Sequence, residues 1–283
     1  MLYKNDYGKV KEMACDIRIL ALQSINSLGQ GHVGGSLSIA DTLAVLYGKV
    51  MDVDPLRPTA PGRSQLVVSK GHCGPAVYAA LALNGFFPAQ NLVTLNKPMT
   101  TLPSHCDRLK TRGVDMTTGS LGQGASTACG IAMTNKIKKR HGVKTYLILG
   151  DGECNEGQVW EAAQFAAKQK LNNLIAFVDW NKKQLDGYIE DISGKGNFEE
   201  KFRAFGWNAV TVDGHDINAI YDAIDAAQKE TERPSVIVLD TIKGKGFKKA
   251  EETMGNHSMA VSDEDFKEAV KEIQKAKEEI TIF

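Results

Sequence analysis

Two runs decide the fold: Thr145-Tyr146-Leu147-Ile148-Leu149-Gly150-Asp151-Gly152, and Leu174-Ile175-Ala176-Phe177-Val178-Asp179-Trp180-Asn181. Each has the length and apolar continuity of a buried strand. Between them Glu156 to Lys170, rich in Ala, Glu, Gln and Lys, predicts a helix. A carboxylate and an amide, 30 positions apart (181 − 151), therefore stand at the same ends of two strands joined by a helix. In an open parallel sheet that edge is where ligands bind. Both side chains offer oxygen. Mg²⁺ prefers such hard ligands and is commonly held by one or two carboxylates plus the phosphates of a ligand. Gly152 lets the backbone approach a phosphate, and the helix beginning near Glu156 aims free N–H groups at it. Gly-Asp-Gly alone also fits a tight turn with Asp151 capping a helix; Asn181 at the next strand end favours the cation.

The chain has 283 residues, enough for one large domain or two small ones, and 42% apolar residues, enough for a core. Lys plus Arg and Asp plus Glu balance at 34 each, which argues against nucleic acid or a membrane surface as partner. The five cysteines, Cys15, Cys73, Cys106, Cys129 and Cys154, have no zinc-like or disulfide-like spacing, so the expected location is a reducing cytoplasm. Cys154, beside Asp151, reads as a small filler residue. The N-terminal residues carry charges and no signal-peptide core, and no stretch approaches the roughly 20 apolar residues of a membrane span.

Along the chain, residues 5 to 28 predict an amphipathic helix stopped by Gly29, then a flexible loop, Gly29 to Ser36, with Ser38 capping a helix from Ile39 to Tyr47. Gln65 to Ser69 reads as a strand running into Lys70-Gly71-His72-Cys73-Gly74, with Pro75 opening the next helix. Residues 86 to 123 are mostly loop, and a small-residue helix follows from Gln123. Residues 182 to 197 are irregular. Then come a helix (198 to 205), a strand (207 to 212), a helix capped by Asp216, a strand (236 to 239) and a charged final helix from Asp263 to Glu279. The alternation predicts an α/β fold, a doubly wound parallel sheet in a single domain over residues 1–283.

Four of the six histidines, His32, His72, His105 and His257, fall in predicted loops, most of them beside Gly or Ser. Imidazole can hydrogen-bond phosphate or sugar hydroxyls and move protons near neutral pH. Their spacing is not that of a zinc motif, so ligand contact is preferred to metal ligation. His141 and His215 are assigned no role.

Gly-Asp-Gly with a later Asn resembles the thiamin diphosphate fingerprint, and its surroundings resemble transketolases, in particular the N-terminal, diphosphate-binding subunit of split transketolases. Gly31-His32, Lys70-Gly71-His72, Ser104-His105 and His257 are similar to the family's histidine positions. Here Ser104 stands where Gly is commoner, and Ser258 where Gly often follows the histidine. Thr118-Gly119-Ser120-Leu121-Gly122-Gln123-Gly124 is similar to the family's aminopyrimidine loop. The resemblance implies thiamin diphosphate with Mg²⁺ (or Ca²⁺ or Mn²⁺) as cofactors. Asp151, Asn181 and the Lys183 carbonyl would hold the metal. His72, Gly119, Leu121, Gly152, Glu156, Leu185, Lys243 and His257 would contact or support the cofactor. His32, His105 and His257 would serve the substrate. For Lys243 a solvated lysine, and for Glu156 a helix-dipole carboxylate, are the alternatives.

The implied reaction is transfer of a two-carbon ketol unit from a ketose to an aldose, with sugar phosphates as substrates, as in the pentose phosphate pathway. The family's pyrimidine-binding domain has no counterpart in this sequence. The expected partner is therefore a separately encoded C-terminal subunit, in an α2β2 heterotetramer. Two alternatives are half of another thiamin diphosphate enzyme, such as a 2-oxoacid dehydrogenase α subunit, and a non-catalytic diphosphate-binding module.

Overall fold

The computed structural model describes residues 3, 6–194 and 196–281. The chain divides into two compact units, one of Met1–Thr59, His72–Thr117 and Ile242–Phe283, the other of Ala60–Gly71 and Thr118–Thr241.

The second unit is built on a five-stranded sheet. Its strands are β1 (Gln65–Val68), β2 (Thr145–Gly150), β3 (Leu174–Trp180), β4 (Asn208–Asp213) and β5 (Ser235–Asp240). Their order is β1-β2-β3-β5-β4 and every pairing is parallel, the α/β architecture expected. Central β2 is buried throughout and β3 and β5 almost so, which is why they read as unbroken apolar runs. Edge strand β4 is largely open to solvent instead, with Ala209 buried and Val210 and Thr211 exposed. Register sets Gly150 opposite Asp179 and Trp180 opposite Asp240, so the β2, β3 and β5 ends come level. Helices Gln123–Ile137, Gly157–Lys168 and Ile217–Lys229 complete the core. In the last, Ile217, Ile220, Ile224 and Ala227 form one buried face at helical spacing, each isoleucine contributing roughly 1.5–3 kcal/mol.

The first unit packs around the Tyr7–Asn26 helix, capped by Asp6, whose side chain accepts from Lys9 N at 3.0 Å. The expected start at residue 5 lies outside the described residues. Arg18 is buried on this helix. Its guanidinium makes a two-pronged bond to Asp41, and its Nε donates to Lys245 O at 3.0 Å. Three distant segments thus meet at one planar cation.

Two local expectations need correction. Val33–Ser38 is a buried helix, not a loop, and Ser38 does not cap the next helix: its hydroxyl donates back to Gly35 O at 3.1 Å. Tertiary packing overrides the helix cost of two glycines, about 1 kcal/mol each. Gly34 N donates to Asn256 O at 2.8 Å, and a Cβ on Gly34 would lie 2.7 Å from that oxygen. The second correction is that Ile189–Ser193 forms a short helix inside the stretch expected to be irregular.

The Asp216 carboxylate accepts from Asn218 N at 2.8 Å and Ala219 N at 3.3 Å. Asp216→Ala is expected to destabilise the protein by about 1 kcal/mol in urea denaturation. An unchanged midpoint would mean the cap contributes nothing.

Candidate functional site

In the second unit the β2 and β3 ends place Asp151 and Asn181 together. Asp151 Oδ1 accepts from Gly152 N at 2.8 Å, and Oδ2 accepts from Lys182 N at 2.7 Å, so the residue after Asn181 is bonded directly to the Asp151 side chain. Lys182 has a left-handed backbone, φ +66°, uncommon outside glycine. That turn lets Asn181 Oδ1 accept from Lys183 N at 3.2 Å, and it brings Gln184 against Gly152. Leu185 is largely exposed, at 66%.

Asn181 is oriented from beneath. Its Nδ2 donates to Asp179 Oδ2 at 2.9 Å, which leaves Oδ1 on the side of the Lys182–Lys183 turn, where it accepts from Lys183 N. Asp179 is fully buried; it also accepts from Thr241 Oγ1 at 2.6 Å and is ion-paired with the buried Lys70. Sequence reasoning missed Asp179, Lys70 and Thr241. A signal was present: an acid inside an apolar strand, and a lysine just past another, each need a buried partner.

Glu153 was missed as well. This buried carboxylate accepts from Ser69 Oγ, from Gly122 N at 2.8 Å and from Gly150 N at 2.9 Å. Burial raises its pKa. Burial and then the Asp179 charge push Asp151 up to about 7, against the Gly152 and Lys182 N–H groups and the Lys70 charge. Among the described residues of this unit the buried charges are three acids, Asp151, Glu153 and Asp179, and one lysine, Lys70. That surplus of negative charge, with a carboxylate and an amide oxygen side by side, suits a hard divalent cation. Among the described residues no group of three or more His, Cys, Asp or Glu could hold a metal. Glu156 is exposed at the start of the Gly157–Lys168 helix, and its side chain lies against Gly122. Gly119 and Leu121 are half-buried in the loop before Gln123.

A cavity of about 810 Å³ in the same unit is lined by Trp180, Tyr188, Phe198, Val238 and several charged groups. Of these, Arg203 pairs with Glu199, and Lys182 pairs with Asp240 outside the lining. Neither Asp151 nor Asn181 lines the cavity.

In the first unit the four loop histidines converge. His32 has ring centroids 5.2 Å from His72, 5.4 Å from His105 and 5.4 Å from His257, and His72 lies 4.7 Å from His257. Lys243, buried at 3% exposure, approaches His257 Nδ1 at 3.5 Å. Burial, then His105 and Lys243, lower the pKa of His32, and burial lowers that of His105. Both are therefore neutral near pH 7 and able to accept a proton. Tyr78 Oη donates to Pro103 O at 2.8 Å and His105 O at 3.0 Å, fixing the loop that carries His105. Cys154 is buried and free, as are the other four cysteines, and no described helix is long and apolar enough to cross a membrane.

Asn181→Asp would set a second carboxylate where an N–H now meets Asp179. In EDTA at pH 7 it is expected to cost about 3 kcal/mol in urea denaturation, more than Asn181→Ala. Equal losses for the two variants would refute the orientation given to the amide.

The family profile described as transketolase, thiamine diphosphate binding domain, matches residues 9–280. A relative from Clostridium sp. (strain MSTE9), the 6-deoxy-6-sulfo-D-fructose transketolase subunit SqwG, is 52% identical over 260 residues, covering 92% of this chain and 94% of that protein. One of the subunits of the apulose-4-phosphate transketolase of Phocaeicola vulgatus is 33% identical, covering 88% of each. Human transketolase is 35% identical over 258 residues, and the chain spans only 41% of its length. The crystal structure of Campylobacter jejuni transketolase superposes with a TM-score of 0.87 at 29% identity, covering 96% of this chain and 45% of that one. The chain belongs to the transketolase family, as a member of its thiamine diphosphate-binding domain.

Proposed function

We propose that this protein is the diphosphate-binding subunit of a two-component transketolase, acting as one thiamine diphosphate-binding domain over residues 1–283. The single family match across residues 9–280 supports that extent. The observation that carries the reading is the near-complete correspondence with a protein itself named as a transketolase subunit, 94% of which is matched. A 2-oxoacid dehydrogenase half would not be expected to match transketolases so fully.

Asp151, Asn181 Oδ1 and the Lys183 carbonyl would hold Mg²⁺, with Gly152 and the start of the Gly157–Lys168 helix toward the diphosphate. When bound, thiamine diphosphate supplies a carbanion-stabilising ring. The protein's part is to bind, orient and move protons. Gly119 and Leu121 would face the pyrimidine, with Glu156 supporting that loop and Leu185 against the ring. His72 and Lys243 carry donors suited to phosphate oxygens. His32 and His105, neutral near pH 7, would accept and return protons of sugar hydroxyls, together with His257. The partner would be a pyrimidine-binding subunit in an α2β2 assembly in the cytoplasm. The donor would be a ketose with an anionic terminal group, and 6-deoxy-6-sulfo-D-fructose is the first candidate because of the 52% relative.

The test is reconstitution. The chain, a pyrimidine-binding subunit, thiamine diphosphate and Mg²⁺ are assayed with 6-deoxy-6-sulfo-D-fructose, fructose 6-phosphate or pyruvate as donor and glyceraldehyde 3-phosphate as acceptor. Ketol transfer from a sugar donor, requiring both polypeptides, is expected. Robust activity of the chain alone, or turnover of pyruvate only, would overturn the proposal. EDTA followed by dialysis is expected to abolish transfer, and Mg²⁺, Mn²⁺ or Ca²⁺ to restore it. Asp151→Asn is expected to lower metal affinity at least tenfold by calorimetry, through loss of the anionic ligand.

A further inference from the structure

Glu153 lies outside the set of residues assigned above to metal, cofactor or substrate. It is nonetheless the point where three separate segments of the second unit meet. Ser69 comes from the end of β1. Gly150 comes from the end of β2, immediately before Asp151. Gly122 comes from the glycine loop that leads into the Gln123–Ile137 helix. A single side chain thus receives three donors, all of them buried with it.

The glycine loop depends on few other ties. Thr118 Oγ1 donates to Val68 O at 2.7 Å and anchors its beginning. Gly124 anchors its end by contact: a Cβ there would stand 2.3 Å from Ser69 Oγ, so only glycine fits against that strand end. Between these anchors, Gly122 N is fixed by Glu153 Oε1. The Gly150–Gly152 turn is held more redundantly. Asp151 N donates to Asp179 O at 3.2 Å, Cys154 N donates to Asp151 O at 3.1 Å, and the Asp151 side chain takes two further N–H groups. Loss of the Glu153 carboxylate would therefore free the loop far more than the turn.

We propose that Glu153 is a positioning residue that sets the spacing between the Thr118–Gly124 loop and the Gly150–Gly152 turn, and so between the groups that meet the two ends of one elongated cofactor. This deepens the thiamine diphosphate reading and rests on it. A cofactor with a heterocycle at one end and a diphosphate at the other is bound tightly only when both contacts are made at once; misplacing one of them wastes the other. Glutamine is nearly isosteric but must turn an N–H₂ toward one of the three N–H or O–H donors, breaking at least one bond.

The experiment compares two probes on the full chain, combined with its partner and saturating Mg²⁺. Thiamine diphosphate reports both ends, and inorganic pyrophosphate reports only the diphosphate end. Glu153→Gln is expected to weaken thiamine diphosphate about tenfold, in the range of one hydrogen bond to a charged group, and pyrophosphate by less than about threefold. Equal weakening of both probes, or no change in either, would refute the positioning role; a generally loosened fold would give the former. If Glu153→Gln does not fold, Ser69→Ala removes one donor from the same oxygen and is expected to shift the ratio of the two affinities in the same direction by about threefold. An unchanged ratio there would equally refute it. Failure of the unsubstituted complex to bind either probe would instead remove the thiamine diphosphate reading on which the inference rests.

Discussion

The second unit depends on a carboxylate that solvent never reaches. Asp179 is wholly buried in β3, and a bare charge there would cost several kcal/mol. Lys70, 109 residues away in sequence and itself buried, supplies the countercharge. Thr241 and Asn181 fill remaining acceptor positions. Because parallel pairing levels the strand ends, one residue each from beyond β1, β3 and β5 converge on the same atom group. The pairing is not there for stability alone, since a well-packed apolar cluster would serve as well or better. What it adds is direction: the Asn181 amide has only one orientation that gives Asp179 a donor, and that orientation turns its oxygen away from Asp179, to accept from Lys183 N.

The same logic explains what could and could not be read from the chain. Four of the five strands, β1, β2, β3 and β5, were legible because each is a largely apolar run that stops at or just before a polar residue or glycine. Asp151 and Asn181 were legible because their spacing is local to one strand–helix–strand unit, and the Thr118–Gly124 loop because it resembles the family's motif. The Val33–Ser38 helix was not, because two glycines argue against a helix and the compensating contact with Asn256 comes from more than two hundred residues later. Glu153 was hidden for the same reason. Two of its three partners lie 84 and 31 positions away, and the sequence around it does not distinguish it from a solvated first-turn acid. Residues that touch ligand leave sequence motifs; residues that hold them leave marks only in tertiary contacts.

The histidines of the first unit show a different constraint. Four imidazoles, three of them with ring centroids 5.2–5.4 Å from that of His32, cannot all carry a proton without strong mutual repulsion. Burial lowers His32 and His105 further, and the buried Lys243 adds a positive charge. His32 and His105 are therefore biased to the neutral form, in which a ring has one donor and one acceptor nitrogen. That is the state suited to exchanging protons with hydroxyl groups. Tyr78 and Asn256 keep this arrangement in place through backbone bonds: Tyr78 to Pro103 and His105, Asn256 to Lys243 and Ala250.

Charge also links cofactor chemistry to stability in the second unit. Among the described residues its buried acids outnumber its buried lysine three to one, and burial disfavours ionised Asp151, whose pKa reaches about 7. An acid whose folded pKa lies above its unfolded value destabilises the fold as pH rises from the unfolded value through the folded one. That cost is complete above about pH 7. A divalent ion held there, as proposed, would reverse it, because the attraction between ion and carboxylate would exist only in the folded arrangement, and binding to the native state alone adds stability by mass action. The arrangement that makes the unit less stable would then be the one that favours a cation with a diphosphate attached: the ion would offset the excess negative charge, and its remaining coordination positions would call for oxygen ligands beyond Asp151, Asn181 and a backbone carbonyl.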